Sequence, residues 1–128
     1  MLKTKKTILA TLAIVGLVGT VAFAGPFGGY TLPAWQGNAY TPKGEKQSNY
    51  TYSYLETNKM TNTDQVTGWV DNGNGTQISD DFSFSVGDKK DMYHDPGYTS
   101  GYSIRNGMEN AHFYKFERAW VDGWYNYN

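Results

Sequence analysis

His94-Asp95, Glu109 with Glu117, and the trio Asp88, Asp91 and Asp95 are the residues whose types and spacing suit chemistry. A His-Asp pair with a distant serine imitates a nucleophilic triad, but no G-x-S-x-G elbow or equivalent context accompanies it. A solvated loop histidine is the better reading of His94, and a strand residue that of His112. Two carboxylates eight positions apart are the raw material of glycoside hydrolysis, yet Glu109 and Glu117 read more simply as surface charge near a hairpin. The chain has no cysteine, which removes any thiol nucleophile. The expectation is a protein without catalytic residues, without a cofactor and without turnover. Asp88, Asp91 and Asp95 could converge in their charged loop as a weak calcium site, although no metal site is assigned. The run DNGNGTQISDD departs from the EF-hand pattern, because glycines 73 and 75 stand where oxygen ligands belong.

A second group of residues suits binding. In SNYTYSYLE, residues 48–56, tyrosines fall at 50, 52 and 54. Period two puts the three rings on one face of a strand. The C-terminal end supplies Trp124, Tyr125 and Tyr127, and chain ends are seldom enclosed. These C-terminal rings are the first candidates for a binding surface, with Tyr50, Tyr52 and Tyr54 as the alternative platform.

The ends of the chain say where such a surface would work. Lys3, Lys5 and Lys6 precede an uncharged run from Ile8 to Ala24 that closes on Ala22-Phe23-Ala24. That is the layout of a secretory signal peptide, so residues 1–24 are expected to be removed and residues 25–128 to form one secreted domain. No membrane span is expected after cleavage. Residues 25–128 hold 8 basic and 12 acidic side chains, a net charge of −4. A nucleic-acid partner is not expected of such a surface, since phosphate contacts need basic residues. Without cysteine, an exported chain must hold together by packing and hydrogen bonds alone.

Packing material is scarce. Beyond Gly25 the aliphatics are Leu32, Leu55, Ile78, Ile104 and four valines, set against twenty aromatic residues. Each aromatic buries roughly 150–250 Å², so the expectation is an aromatic core that takes in Tyr50, Tyr52 and Tyr54. Asn49, Thr51, Ser53 and Leu55 would then face solvent. The alternative is a partly disordered chain.

The elements that must position these groups read as strands. Gly28–Trp35 begins the domain, with Pro33 confining any strand there to an edge or a bulge. Residues 36–47 are turn-rich and read as a loop. Residues 65–71 and 76–87 flank NGNG as a hairpin, with Asp71 opposite Thr76 and Trp69 opposite Ile78. Residues 87–97 read as a charged loop. Asn106-Gly107 is the strongest hairpin signal, a type I′ turn joining strands on either side. After it the apolar pattern of residues 110–120 is irregular, as at a bulge or a strand buried on both faces. No segment has helical periodicity. The fold class expected is all-β: a small antiparallel β-sandwich or barrel.

A signal peptide, a cysteine-free β-rich domain, SNY at 48–50 and the aromatic run at 120–127 together resemble lactococcin-type bacteriocins and related small exported Gram-positive β-proteins. The resemblance implies a secreted, non-enzymatic protein acting on a cell envelope. Two other classes stay open: a carbohydrate- or wall-binding module, whose rings stack on sugar faces, and a small hydrolase. The partner expected is an envelope component or polysaccharide.

Overall fold

The computed structural model describes residues 24–34, 37–112 and 117–128. The signal-peptide expectation, apart from Ala24, and the irregular stretch 113–116 lie outside these residues. Among the described residues there are nine strands and no helix. They are β1 (Ala24–Leu32), β2 (Ala39–Tyr40), β3 (Gly44–Glu45), β4 (Tyr52–Thr61), β5 (Val66–Asn72), β6 (Phe82–Phe84), β7 (Asp88–Tyr93), β8 (Ser103–Asn110) and β9 (Ala119–Asn126). One sheet has the order β1-β9-β4-β7; the other has β2-β8-β5-β6, with β3 also on β8. Every pairing is antiparallel. The all-β, antiparallel expectation therefore holds, as two sheets that do not close into a barrel.

The sheets share one core. Phe27, Leu32, Leu55, Met92, Val121 and Tyr125 of the first meet Val66, Val70, Phe84, Ile104 and Met108 of the second. Alternation explains the selection: in β4, Ser53, Leu55 and Thr57 are buried while Tyr52, Tyr54 and Glu56 are only partly covered. The expected facing of SNYTYSYLE is thus reversed. The aromatic-core premise failed because it left out methionine, a flexible filler of gaps, and buried hydrogen-bonded polar groups. Met92 and Met108 are fully enclosed, and so are Ser53, Thr57 and Asn106.

Asn106 and Gly107 are not a turn. They lie in the middle of β8, opposite Val70 and Trp69 of β5. Both residues serve packing. Asn106 faces inward, where its Oδ1 accepts from Ser53 Oγ at 2.6 Å and its Nδ2 donates to the Tyr54 carbonyl at 3.3 Å. These bonds tie the second sheet to β4 of the first. Gly107 faces the outer side, and a Cβ there would stand 2.3–2.5 Å from three atoms of the Trp69 indole. The glycine is the seat of that ring. Trp69 is only 6% exposed, donates Nε1–H to Asp71 Oδ1 at 2.8 Å and meets Tyr40 edge-on.

The hairpin after β5 is also offset from expectation. Asp71 bridges to Gln77 rather than Thr76, and Ile78 donates to the Val70 carbonyl. The side chain of Asn72 is the cause: its Oδ1 accepts from the N–H groups of Asn74 and Thr76, which lengthens the turn by one residue. Gly75, at φ 85°, supplies the left-handed position. Ile78 thereby falls opposite Val70 on the core side, and Trp69 is left outside. Residues 76–87 do not run as one strand. After the bridge at Gln77, Phe82–Phe84 form a separate short strand along β5, and Val86 is exposed.

Candidate functional site

Residues 88–93, expected in a charged loop, form the edge strand β7, and this builds the site. Tyr93 pairs with Tyr52, Asp91 with Tyr54 and Lys89 with Glu56, all on the outer face of the first sheet. Inward alternation places Met92 in the core. Tyr50 stacks on Tyr52 at 5.5 Å between ring centroids and 19° between planes. Tyr93 meets Tyr52 at 5.6 Å and 64°, so the two rings form a corner. Tyr50 and Tyr93 are 59% and 61% exposed, the largest values among the bulky apolar side chains of the described residues.

Farther along the same face, β9 sets Asn126 opposite Tyr54 and Trp124 opposite Glu56. Trp124 and Trp120, both exposed, continue this outer row. The tyrosines of β4 and Trp124, which the sequence offers as alternatives, thus stand on one face. Tyr125 and Tyr127 point the other way. Tyr125 lies in the core, and Tyr127 is fully enclosed, its hydroxyl bonded to Thr41 Oγ1 at 2.5 Å and to the Pro42 carbonyl. Burial pushes the Tyr127 hydroxyl pKa well up. The expectation that the chain end is open fails for these two rings, because alternation in β9 decides their facing.

Beyond Tyr93 the surface becomes concave. A groove of about 580 Å³ is lined by Tyr93, Tyr98, Gln77, Ser79, Asp80 and Asp95, among others, with His94 also contributing. Tyr98 separates it from a second groove of about 300 Å³, lined by Tyr102, Asn72, Asn74 and Ser103. Tyr98 and Tyr102 meet at 5.3 Å and 71°. Asn49 anchors this loop to the start of β4 by accepting from the Ser100 N–H at 3.0 Å. Rings and short polar side chains therefore alternate around one end of the molecule.

The electrostatics of this end are simple. The Tyr54 hydroxyl donates to Glu56 Oε2 at 2.7 Å; burial first, and then that bond, push its pKa up to about 12. Tyr52 is raised by desolvation first and by the Asp91 charge second. Both remain neutral donors at ordinary pH. His94 is buried, and burial lowers its pKa more than its bond to Asp95 restores it, with the Lys46 charge lowering it further. Its Nδ1–H donates to the Asp95 carbonyl at 2.9 Å, leaving Nε2 buried without a hydrogen-bond partner among the described residues. The neutral ring and its tautomer are fixed by the backbone and not by a carboxylate, unlike a triad histidine.

The remaining candidates are dispersed. Asp88 Oδ2 accepts from the Ser85 N–H, Asp95 Oδ1 accepts from the Gly97 N–H, and Asp91 stands beside Tyr54. Among the described residues, no group of three or more His, Asp or Glu is arranged to hold a metal ion. Glu109 lies in β8 opposite Thr67, its carboxyl pKa raised by burial and then by the charge of Asp81; Glu117 is exposed. His112 is bonded to Asp64 through Nε2 at 2.6 Å.

Sequence reasoning overlooked Tyr93, Tyr98 and Tyr102. The signal for Tyr93 was present in DKKDMYH, where Met92 and His94 alternate with Asp91 and Tyr93. The charges masked that period. Comparison with protein-family models and with curated proteins finds no match for the chain.

Proposed function

We propose that the chain is an exported, non-enzymatic β-protein that acts at a cell envelope by binding a polysaccharide through its tyrosine-rich end. The observation that carries this reading is the array Tyr50–Tyr52–Tyr93, which continues around Tyr98 into a groove edged by hydroxyl, amide and carboxylate groups. A sugar ring has C–H faces and a hydroxyl rim. An exposed aromatic face accepts the first, and short polar side chains accept the second. Folding alone would favour covering such rings, whereas Tyr50 and Tyr93 remain exposed. A few exposed ring contacts give weak single-site binding, which a repetitive polymer strengthens through multiple attachment. Export rests on the Lys3–Ala24 layout, and the lack of turnover on the dispersal of His94, Glu109 and His112.

The test is retention on purified cell-wall polysaccharide. Tyr52→Ala and Tyr93→Ala should abolish retention while the thermal melt stays close to wild type, and the Tyr→Phe changes should preserve both. Wild-type protein that passes through unretained, or alanine variants retained like wild type, would overturn the proposal. Growth inhibition of related bacteria, measured on the same variants, separates a bacteriocin-like action from adhesion alone.

A further inference from the structure

We infer that the tyrosine-lined groove selects sugars bearing a free amine, so that its substrate class is a cationic amino-sugar polymer. The inference rests on the polysaccharide reading above and concerns the charge of the ligand. Asp80 and Asp95 line the groove, and Asp91 stands on the adjoining face beside Tyr54, in the same strand as Tyr93. No lysine or arginine is among the residues lining either groove.

Two of the nearby cations are held elsewhere. Lys46 is buried, with Nζ on the carbonyls of Tyr127 and Asn128. Arg105 is held by Asp71 at 3.2 Å and lies over the Tyr40 ring at 3.6 Å. Lys90 donates to the Ser83 carbonyl, whereas Lys89 is exposed on the outer face, opposite Glu56 and two positions from Asp91 along β7. His94 adds no charge near neutrality, because burial favours its neutral form.

Tyr52 is packed between the stacked Tyr50 ring and the edge-on Tyr93 ring, so the surfaces left open to an approaching group belong to Tyr50 and Tyr93, 59% and 61% exposed. The negative face of an aromatic ring attracts an ammonium. Carboxylates at the margin supply the counter-charge, and the same carboxylates repel uronate or phosphate-bearing chains. An N-acetylated sugar of the same shape keeps the ring contacts and loses the charge terms. Exposed cation–π and ion-pair contacts of this kind amount together to a preference of about tenfold.

The experiment compares the full-chain protein on three probes of matched length: glucosamine oligomers, N-acetylglucosamine oligomers and a polyuronate. Affinities are read by titration calorimetry at low and high sodium chloride. Wild type should bind the glucosamine oligomer about tenfold more tightly than the acetylated one, and the uronate least, with the preference shrinking in high salt. Asp80→Asn and Asp91→Asn should lower the preference, weakening the glucosamine oligomer more than the acetylated one. Asp95→Asn keeps an oxygen to accept from Gly97 and should act in the same way. Equal or tighter binding of the acetylated oligomer or the uronate would overturn the amine preference while sparing the polysaccharide reading. Failure to bind any of the three would overturn both.

Discussion

Replacing Gly107 by alanine puts a methyl group where the Trp69 ring now lies. The new carbon would stand 2.3 Å from Cε2 and 2.5 Å from both Cζ2 and Nε1. Carbon contacts are comfortable at about 3.5–4.0 Å, so the indole must withdraw by roughly 1–1.5 Å. If it stays and strains its surroundings, overpacking costs about 1–3 kcal/mol. If it swings out, it forfeits burial of about 150–250 Å², or up to about 4–6 kcal/mol at 25 cal/mol per Å², plus about 1 kcal/mol for the bond to Asp71. The cheaper response sets the result, so the expected loss is about 2–3 kcal/mol. Urea unfolding followed by far-UV circular dichroism measures it, with an expected fall in Tm of about 8–20 °C for a domain of this size. The cause is isolated by repeating the change in a Trp69→Leu background, where most of the cost should vanish. Two results would refute the reasoning: a loss below about 0.5 kcal/mol, or an equal loss in both backgrounds, as expected of a glycine needed for its backbone angles.

Three further outcomes follow from the same packing. Asn106→Leu should cost about 2–3 kcal/mol because Ser53 is left without its acceptor, and adding Ser53→Ala should recover part of that loss in the same unfolding assay. Tyr127→Phe should cost about 1–2 kcal/mol by removing the hydroxyl that links Thr41 to the Pro42 carbonyl; a change within about 0.3 kcal/mol would contradict that bond's role. His94 is held below its ordinary value of 6.5, so the unfolded chain takes up its proton first. The contribution is fully present above about pH 6.5 and is lost as pH falls toward the lowered folded value. His94→Gln should remove this part of the stability–pH slope below about pH 6.5.

Alternation made part of this molecule legible from its residues. The all-β class, the strand character of residues 52–55 and the edge position of the segment before Pro33 follow from period two and from proline's missing donor. Facing did not follow. Tyr52 and Leu55 belong to opposite faces of β4, and a residue-type argument about bulk chose the wrong one, because buried Ser53, Thr57 and Asn106 share the interior with two methionines. Asn106-Gly107 fails for a related reason. The dipeptide suits a tight turn, but tertiary packing uses the amide to join two sheets and the missing side chain to seat Trp69. The candidate surface was half visible. Tyr50, Tyr52, Tyr54 and Trp124 were nameable from spacing, whereas Tyr93 and Tyr98 join them only through the pairing of β4 with β7 and the loop that follows, which are long-range contacts no local pattern encodes.

The most direct test of the tyrosine-rich end as a polysaccharide site is a residue-resolved titration. Uniformly ¹⁵N-labelled protein is mixed with soluble wall-polysaccharide fragments, and amide shifts are followed by nuclear magnetic resonance. The account predicts that shifts concentrate at residues 49–54, 91–98 and 76–80, the strands and loops that hold Tyr50, Tyr52, Tyr93 and the groove. The outer face of the second sheet, around Trp69, Arg105 and Glu109, should stay unchanged. Shifts confined to that opposite face, or no shifts at saturating polysaccharide, would contradict it.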